Sequence, residues 1–298
     1  GRSVGSQLRA LAKISKGLFQ AVRIIRGFDP DMIVGVGGYA SGPVALAGKV
    51  MGKTVVIHEQ NMIPGLTNRL LARFADRIYV SFPDTKKWFE PSKTVFTGNP
   101  VRAAVLQNGR ESESKNGFVV LVVGGSQGAH AVNQAVVDAL DHLGPHGIRF
   151  IHQTGVQDRP WVSDAYEQRG VQATVSAFFE DMGRLYRAAD LVVCRAGATT
   201  VSELTALGKP AVFIPFPFAA NDHQAYNARY VAQAGGAEVI LEKDLTGRIL
   251  AEKISAYAAD PAVLDKMAAC AAALGRPDAA STIVGDCKKL LAMLFMQH

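Results

Sequence analysis

Phe118-Val119-Val120-Leu121-Val122-Val123-Gly124-Gly125-Ser126-Gln127-Gly128 sets the fold class. Six unbroken apolar residues, mostly β-branched, mark a strand buried on both faces, as in a parallel sheet. A glycine turn follows, and then an apolar-periodic helix through Leu140. Backbone N–H groups in such a turn can approach an anion closely, and the helix N-terminus adds a dipole that favours phosphate. Close strand–helix packing asks for the same glycines, so the motif alone leaves diphosphate binding and a plain turn both open. It is not a P-loop, because no Gly-Lys-Ser/Thr follows.

The same alternation extends in both directions. Upstream, an apolar strand at 32–38 runs into Gly35, Gly37 and Gly38, with a helix expected from Pro43. A strand at 54–58, a helix at 64–74 and a strand at 77–80 follow. Downstream, strands are expected at 148–152, 171–176, 191–194, 211–215 and 238–241, and the end is helical over 245–259, 261–274 and from Ala279. Strands alternating with helices predict an α/β protein of two Rossmann-like, doubly wound parallel sheets meeting at a cleft. The polar stretch 110–117 lacks an apolar period and suits a linker. The expected organisation is an incomplete N-terminal acceptor or membrane-side domain (1–103), a linker (104–117) and a donor-binding domain (118–278). A last helix (279–298) is expected to pack back on the first domain.

At 298 residues, 48% hydrophobic and 19% charged, the chain is long enough for two cores and is not of disordered composition. No apolar run nears the ~20 residues needed to span a bilayer. Cys194, Cys270 and Cys287 are widely spaced in apolar contexts and read as reduced core residues. The net charge of +6 is uneven: residues 1–30 carry +5 and the remainder +1. Leu8, Leu11, Leu18, Val22 and Ile25 recur there at helical spacing between Arg9, Lys13, Lys16 and Arg23. This basic amphipathic helix fits an anionic membrane surface, and equally an ordinary packed surface helix. A nucleic-acid partner is not expected, since that calls for a broad basic face with stacking aromatics.

Three further stretches carry candidate chemistry. In Cys194-Arg195-Ala196-Gly197-Ala198-Thr199-Thr200-Val201-Ser202-Glu203 a strand ends and a helix opens. Thr199 and Thr200 sit where an N-terminal turn offers donors to phosphate, and Glu203, one turn further in, suits either a ribose diol or helix capping. The loop Pro215–Gln224 ends in polar residues; Gln224 suits sugar hydroxyls, and His223 is a ligand neighbour or a surface residue. Gly98-Asn99-Pro100-Val101-Arg102 places a guanidinium suited to a diphosphate or to an interdomain ion pair.

Taken together, Gly35–Pro43, His58-Glu59-Gln60-Asn61, Gly98–Arg102, Gly124–Ala129 and Arg195–Glu203 resemble the MurG family. Its members are peptidoglycan N-acetylglucosaminyltransferases of GT-B fold. The motifs run in order over essentially the whole chain. The resemblance implies inverting transfer of N-acetylglucosamine from UDP-N-acetylglucosamine to the muramoyl 4-hydroxyl of lipid I (undecaprenyl-pyrophosphoryl-muramoyl-pentapeptide), giving lipid II. It also implies a peripheral enzyme at the cytoplasmic face of the bacterial inner membrane, with cell wall biogenesis, cell shape and cell division depending on it. By motif, Arg102 and Ser126 are implied to meet the diphosphate, the Phe179 backbone the uracil and Ala198–Glu203 the nucleotide. Gln224 is implied to meet the sugar, and Asn61 to reach the donor from the other half. Gly37, Gly38, Tyr39 and Glu59 would face the acceptor. The family opens with a strand and a glycine-rich loop carrying the favoured base. This sequence starts beyond that point, so the first βαβ unit is expected to be absent and His58 stands in as the candidate base. No metal and no obligate cofactor are expected. The alternatives are a different UDP-sugar glycolipid transferase and a UDP-N-acetylglucosamine 2-epimerase.

Overall fold

A computed structural model describes residues 4–107, 117–125, 128–144 and 147–296, without the side chains of 4–14 and 294–295. Ser126 and all of the expected linker stretch 110–117 except Gly117 lie outside the described residues. The chain divides into two compact units, Gly1–Asn99 with Asp278–His298, and Pro100–Pro277. The division therefore falls between Asn99 and Pro100, which places Arg102 in the second unit rather than at the end of the first.

The first unit is built from α1 (Val4–Phe28), β1 (Met32–Gly35), α2 (Gly38–Val50), β2 (Thr54–Glu59), α3 (Leu66–Leu71), β3 (Arg77–Val80) and β4 (Thr94–Phe96). Its four strands are parallel in the order β1-β2-β3-β4. All six residues of β2 are buried, as an interior parallel strand requires. Ile25 and Ala21 of α1 bury with Ile33, Ala45, Val55 and Ile57 in one apolar core. The start of α2 lies before Pro43, which sits inside the helix.

The second unit comprises α4 (Ala103–Leu106), β5 (Phe118–Val123), α5 (His130–Ala139), β6 (Ile148–Gln153), α6 (Arg159–Gln168), β7 (Ala173–Ser176), α7 (Met182–Ala188), β8 (Leu191–Cys194), α8 (Ala198–Ala206), β9 (Ala211–Phe213), α9 (His223–Gln233), β10 (Ala237–Val239), α10 (Gly247–Ala259) and α11 (Pro261–Leu274). Six parallel strands run in the order β10-β9-β8-β5-β6-β7. The order winds outward in both directions from the β5–β8 pair, the doubly wound arrangement with its switch point there. Val120, Val122, Leu191, Val193 and Val212 are fully buried in its core. The chain then returns to the first unit in α12 (Ala279–Phe295), where Asp286 Oδ2 accepts from the Tyr79 hydroxyl at 3.0 Å and pairs with Arg77 Nε at 3.0 Å.

Candidate functional site

In a doubly wound sheet, ligands bind at the carboxyl ends of the strands where the order reverses. Here those ends belong to β5 and β8, and each runs straight into a glycine turn and a helix. After β5, Gly124 lies so close to Ala129 N that an added Cβ would sit at 2.4 Å from it. Gly128, at φ 80°, leaves no room for a side chain against the Thr154 carbonyl. Gly124 is thus pressed against the start of α5 and Gly128 against the chain leaving β6. After β8, Gly197 caps α8 with no side-chain bond to the free N–H groups. Ala198 is buried, Thr200 half-buried and Thr199 exposed in that first turn. Uncapped N–H groups at the start of a nine-residue helix offer a ready seat for an anion.

Glu203 lies deeper in α8 and is 3% exposed. Its Oε1 accepts from Arg102 Nη2 at 3.3 Å, and its Oε2 from the Tyr186 hydroxyl at 3.0 Å. Arg102 itself has a side chain 64% exposed, so one end of the pair is in solvent and the other in the core. Burial, followed by the nearby Glu203 charge, pushes the Tyr186 phenol well up, which keeps it a hydroxyl donor. The same causes push the Cys194 thiol up, so this buried cysteine is an unreactive core residue. The capping alternative for Glu203 fails: its carboxylate bonds other elements rather than the helix terminus.

The Phe179 N–H donates to Gln153 Oε1 at 2.9 Å, and Gln153 Nε2 donates to the Gly125 carbonyl at 3.1 Å. One buried amide at the end of β6 thereby ties the glycine turn to the Phe178–Phe179 segment. Gln224 accepts the Phe216 N–H at 3.0 Å on its Oε1. The loop before it holds Asn221 and Asp222 at φ 54° and 52°, left-handed backbone that side chains seldom adopt and that functional loops retain. His223 Nδ1 is bonded to the Ala220 carbonyl at 2.7 Å.

In the first unit, the expected acceptor-side residues split. Gly37 caps α2 and Gly38 opens it, while Tyr39 is 99% exposed. Glu59 turns inward instead. Its Oε1 accepts from Asn61 N at 2.9 Å, and its Oε2 from Asn68 Nδ2 at 2.8 Å and Gly65 N at 3.1 Å. A carboxylate so engaged fixes the 61–68 loop. His58 likewise bonds inward: its Nε2 lies 3.1 Å from the Gly98 carbonyl and 3.4 Å from Ser81 Oγ. Burial lowers its pKa, and a neutral ring donating to Gly98 has that nitrogen occupied. His58 therefore ties the 97–99 segment to β2 through Nε2, which leaves Nδ1 as the ring nitrogen with the lone pair. Asn61, on the same loop, has its backbone fixed by Glu59.

Among the described residues no three His, Cys, Asp or Glu side chains gather as metal ligands. Asp29-Pro30-Asp31 has the Asp-x-Asp spacing of metal-binding glycosyltransferase sites, but it precedes β1 at the wrong end of the sheet, and Asp29 pairs with Lys53 at 2.6 Å. Sequence reasoning missed Tyr186, Gln153 and Asn68. Their partners lie 17, 28 and 9 residues away, in other elements, where no local pattern marks them.

The glycosyltransferase family 28 N-terminal domain matches residues 1–80, and the corresponding C-terminal domain matches residues 119–283. The UDP-N-acetylglucosamine--N-acetylmuramyl-(pentapeptide) pyrophosphoryl-undecaprenol N-acetylglucosamine transferase of Syntrophus aciditrophicus is 48% identical over 297 residues, covering 98% of this chain and 82% of that protein. The chain belongs to the MurG family. The crystal structure of Acinetobacter baumannii MurG superposes with a TM-score of 0.79 at 35% identity, over 93% of this chain and 80% of that one. The UDP-GlcNAc 2-epimerase from Neisseria meningitidis matches with a TM-score of 0.67 at 13% identity, over 93% and 81%. That likeness is one of fold alone, whereas the MurG likeness extends to sequence. Two parallel-sheet α/β units are thus the GT-B architecture of MurG.

Proposed function

We propose that the chain transfers N-acetylglucosamine from UDP-N-acetylglucosamine to lipid I, forming lipid II and UDP with inversion at the anomeric carbon. The observation that carries this is the 48% identity to a transferase whose name states that donor sugar and that acceptor, over nearly the whole chain. The new bond forms between the acceptor 4-oxygen and the anomeric carbon, the bond to the diphosphate breaks, and the hydroxyl proton passes to a general base, for which His58 is the candidate in the first unit. Charge developing on departing UDP is met by the glycine turn after β5, the N-terminal turn of α8 and the guanidinium of Arg102. Ser126 completes that group in this reading. Glu203 takes the ribose, the Phe178–Phe179 segment faces the base, and Gln224 offers its remaining Nε2 to the sugar. Asn61 and the Gly37-Gly38-Tyr39 turn serve the donor and acceptor from the first unit.

The acceptor is a lipid, and the reading places the protein peripherally on the cytoplasmic face of the inner membrane, in support of wall growth and division. No described helix is long and apolar enough to cross a membrane. Phe19, Ile24 and Phe28 of α1 are 72%, 67% and 79% exposed beside exposed Lys16, Arg23 and Arg26, while Ala21 and Ile25 bury in the core. The helix is thus packed on its own unit and still presents a basic, apolar outer face. Sugar transfer is tested with labelled UDP-N-acetylglucosamine and lipid I in mixed micelles, with diacylglycerol in parallel. Labelled lipid II is expected. Transfer to diacylglycerol instead, or conversion of the donor to its 2-epimer without acceptor, would overturn the reading.

A further inference from the structure

The Glu203 carboxylate has two oxygens in unlike surroundings, and the difference assigns a role to a residue outside the family motifs. Oε2 is held at 3.0 Å by Tyr186, which projects from α7 and is 2% exposed. Oε1 is held at 3.3 Å by Arg102, whose side chain is mostly in solvent. A bond to a charged acceptor is stronger and better directed than a neutral one. A buried carboxylate without a fixed donor has no single preferred rotamer and bears a desolvation cost. Tyr186 supplies that fixed donor. A phenol is rigid beyond its two side-chain torsions, and α7 is itself anchored by Asp181, whose side chain accepts from Arg184 N at 2.9 Å. Arg102 is the opposite kind of partner: long, exposed and at the outer limit of a hydrogen bond, so it is readily exchanged.

We propose that Tyr186 is a positioning residue for donor recognition, clamping Glu203 Oε2 so that Oε1 is aimed at the ribose hydroxyls, with Arg102 as its displaceable partner in the free protein. This rests on the reading of Glu203 as the ribose contact. When the nucleotide enters, the diol takes Oε1, and the released guanidinium is left free for the diphosphate, so both ends of the ligand are bound in one exchange. No covalent step is involved. Tyr186 never touches the ligand, and its effect passes entirely through the carboxylate.

The test compares binding of UDP and 2′,3′-dideoxy-UDP by calorimetry to the wild-type chain, Tyr186→Phe and Glu203→Gln. The wild type is expected to prefer UDP, and Tyr186→Phe to lose about tenfold in UDP affinity while binding the dideoxy ligand as before. A residue that only fills the core would weaken both ligands alike. Equal losses for the two ligands, or no loss, overturn the proposal. If the wild type and Glu203→Gln both bind the two ligands equally, the ribose reading itself fails, and the two failures are thereby told apart. Should Tyr186→Phe not fold, a ring-fluorinated tyrosine at position 186 keeps the shape and alters the hydroxyl's donor strength. A preference for UDP that changes with it supports the clamp, and one that stays constant overturns it.

Discussion

Replacing Glu203 with Gln keeps the shape of the side chain and removes the charge that Arg102 and Tyr186 both address. Donor affinity is expected to fall by about 1.5–3 kcal/mol, the range for a bond to a charged group. Calorimetry with UDP-N-acetylglucosamine checks it, and unchanged affinity would return Glu203 to a purely internal role. A second residue-scale outcome concerns His152. It is fully buried, with Nδ1 at 3.1 Å from the Tyr166 hydroxyl and Nε2 at 3.0 Å from Asn133 Oδ1. Burial pushes its pKa down to about 3, from 6.5. Between those values the unfolded chain binds a proton that the folded chain refuses, so stability is complete above pH 6.5 and falls as pH drops towards 3. The slope is about 1.4 kcal/mol per pH unit for one proton. Urea midpoints at pH 7 and pH 5 should differ less in His152→Gln than in the wild type, and an equal difference would mean the imidazole is not excluding its proton. At this scale the sequence showed which residue types stand at the strand ends but not which way they face. Glu59 and His58 follow one another on β2, and both carry hydrogen bonds inward that only the folded loop at 61–68 and the segment at 97–99 supply.

Elements were readable where their pattern was local. β3, β5 and β8 have the bounds their apolar runs predict, while β4, three residues long with only Thr94 buried, carries too short a pattern to stand out. Pro43 misled in an instructive way. Proline suits the first turn of a helix, yet α2 begins at Gly38 and absorbs Pro43, which only lacks an N–H for the carbonyl four residues back. At α12, Asp286 serves both Tyr79 and Arg77, so Asp286→Ala takes the carboxylate from both and leaves the phenol with only the Cys287 thiol, at 3.2 Å. A loss of about 1–3 kcal/mol in the stability of the first unit is expected, read from denaturant unfolding followed by hydrogen exchange at β3. The outer face of α1 makes a separate prediction. Exchanging Lys16, Arg23 and Arg26 for Gln should weaken sedimentation with acidic liposomes and flatten its salt dependence, with donor affinity unchanged. Equal sedimentation of the wild type with neutral and acidic liposomes would exclude an electrostatic contribution.

For the molecule as a whole, the alternation of strand and helix told the fold class in advance, because each βαβ crossover leaves its own periodicity in the chain. The strand order is non-local and did not show, and it is the strand order that puts the turns after β5 and β8 side by side. Amide exchange on adding UDP should therefore slow most at residues 124–129 and 195–203, which follow the paired strands β5 and β8 at the switch point. Slowing confined to the first unit would move the nucleotide site there. The discontinuity of that first unit has a consequence for how the protein is made. Tyr79 and Asp286 are 207 residues apart, and the whole second unit is translated between them. At about 5–20 residues per second, the earlier half of that contact waits roughly 10–40 s on the ribosome for its mate. The second unit, one unbroken segment, has all its strands out of the ribosome before α12 emerges, so the half synthesised later is the first able to finish folding. Chaperone contact during translation should accordingly concentrate on β3 and its neighbours, and end only when the last helix emerges.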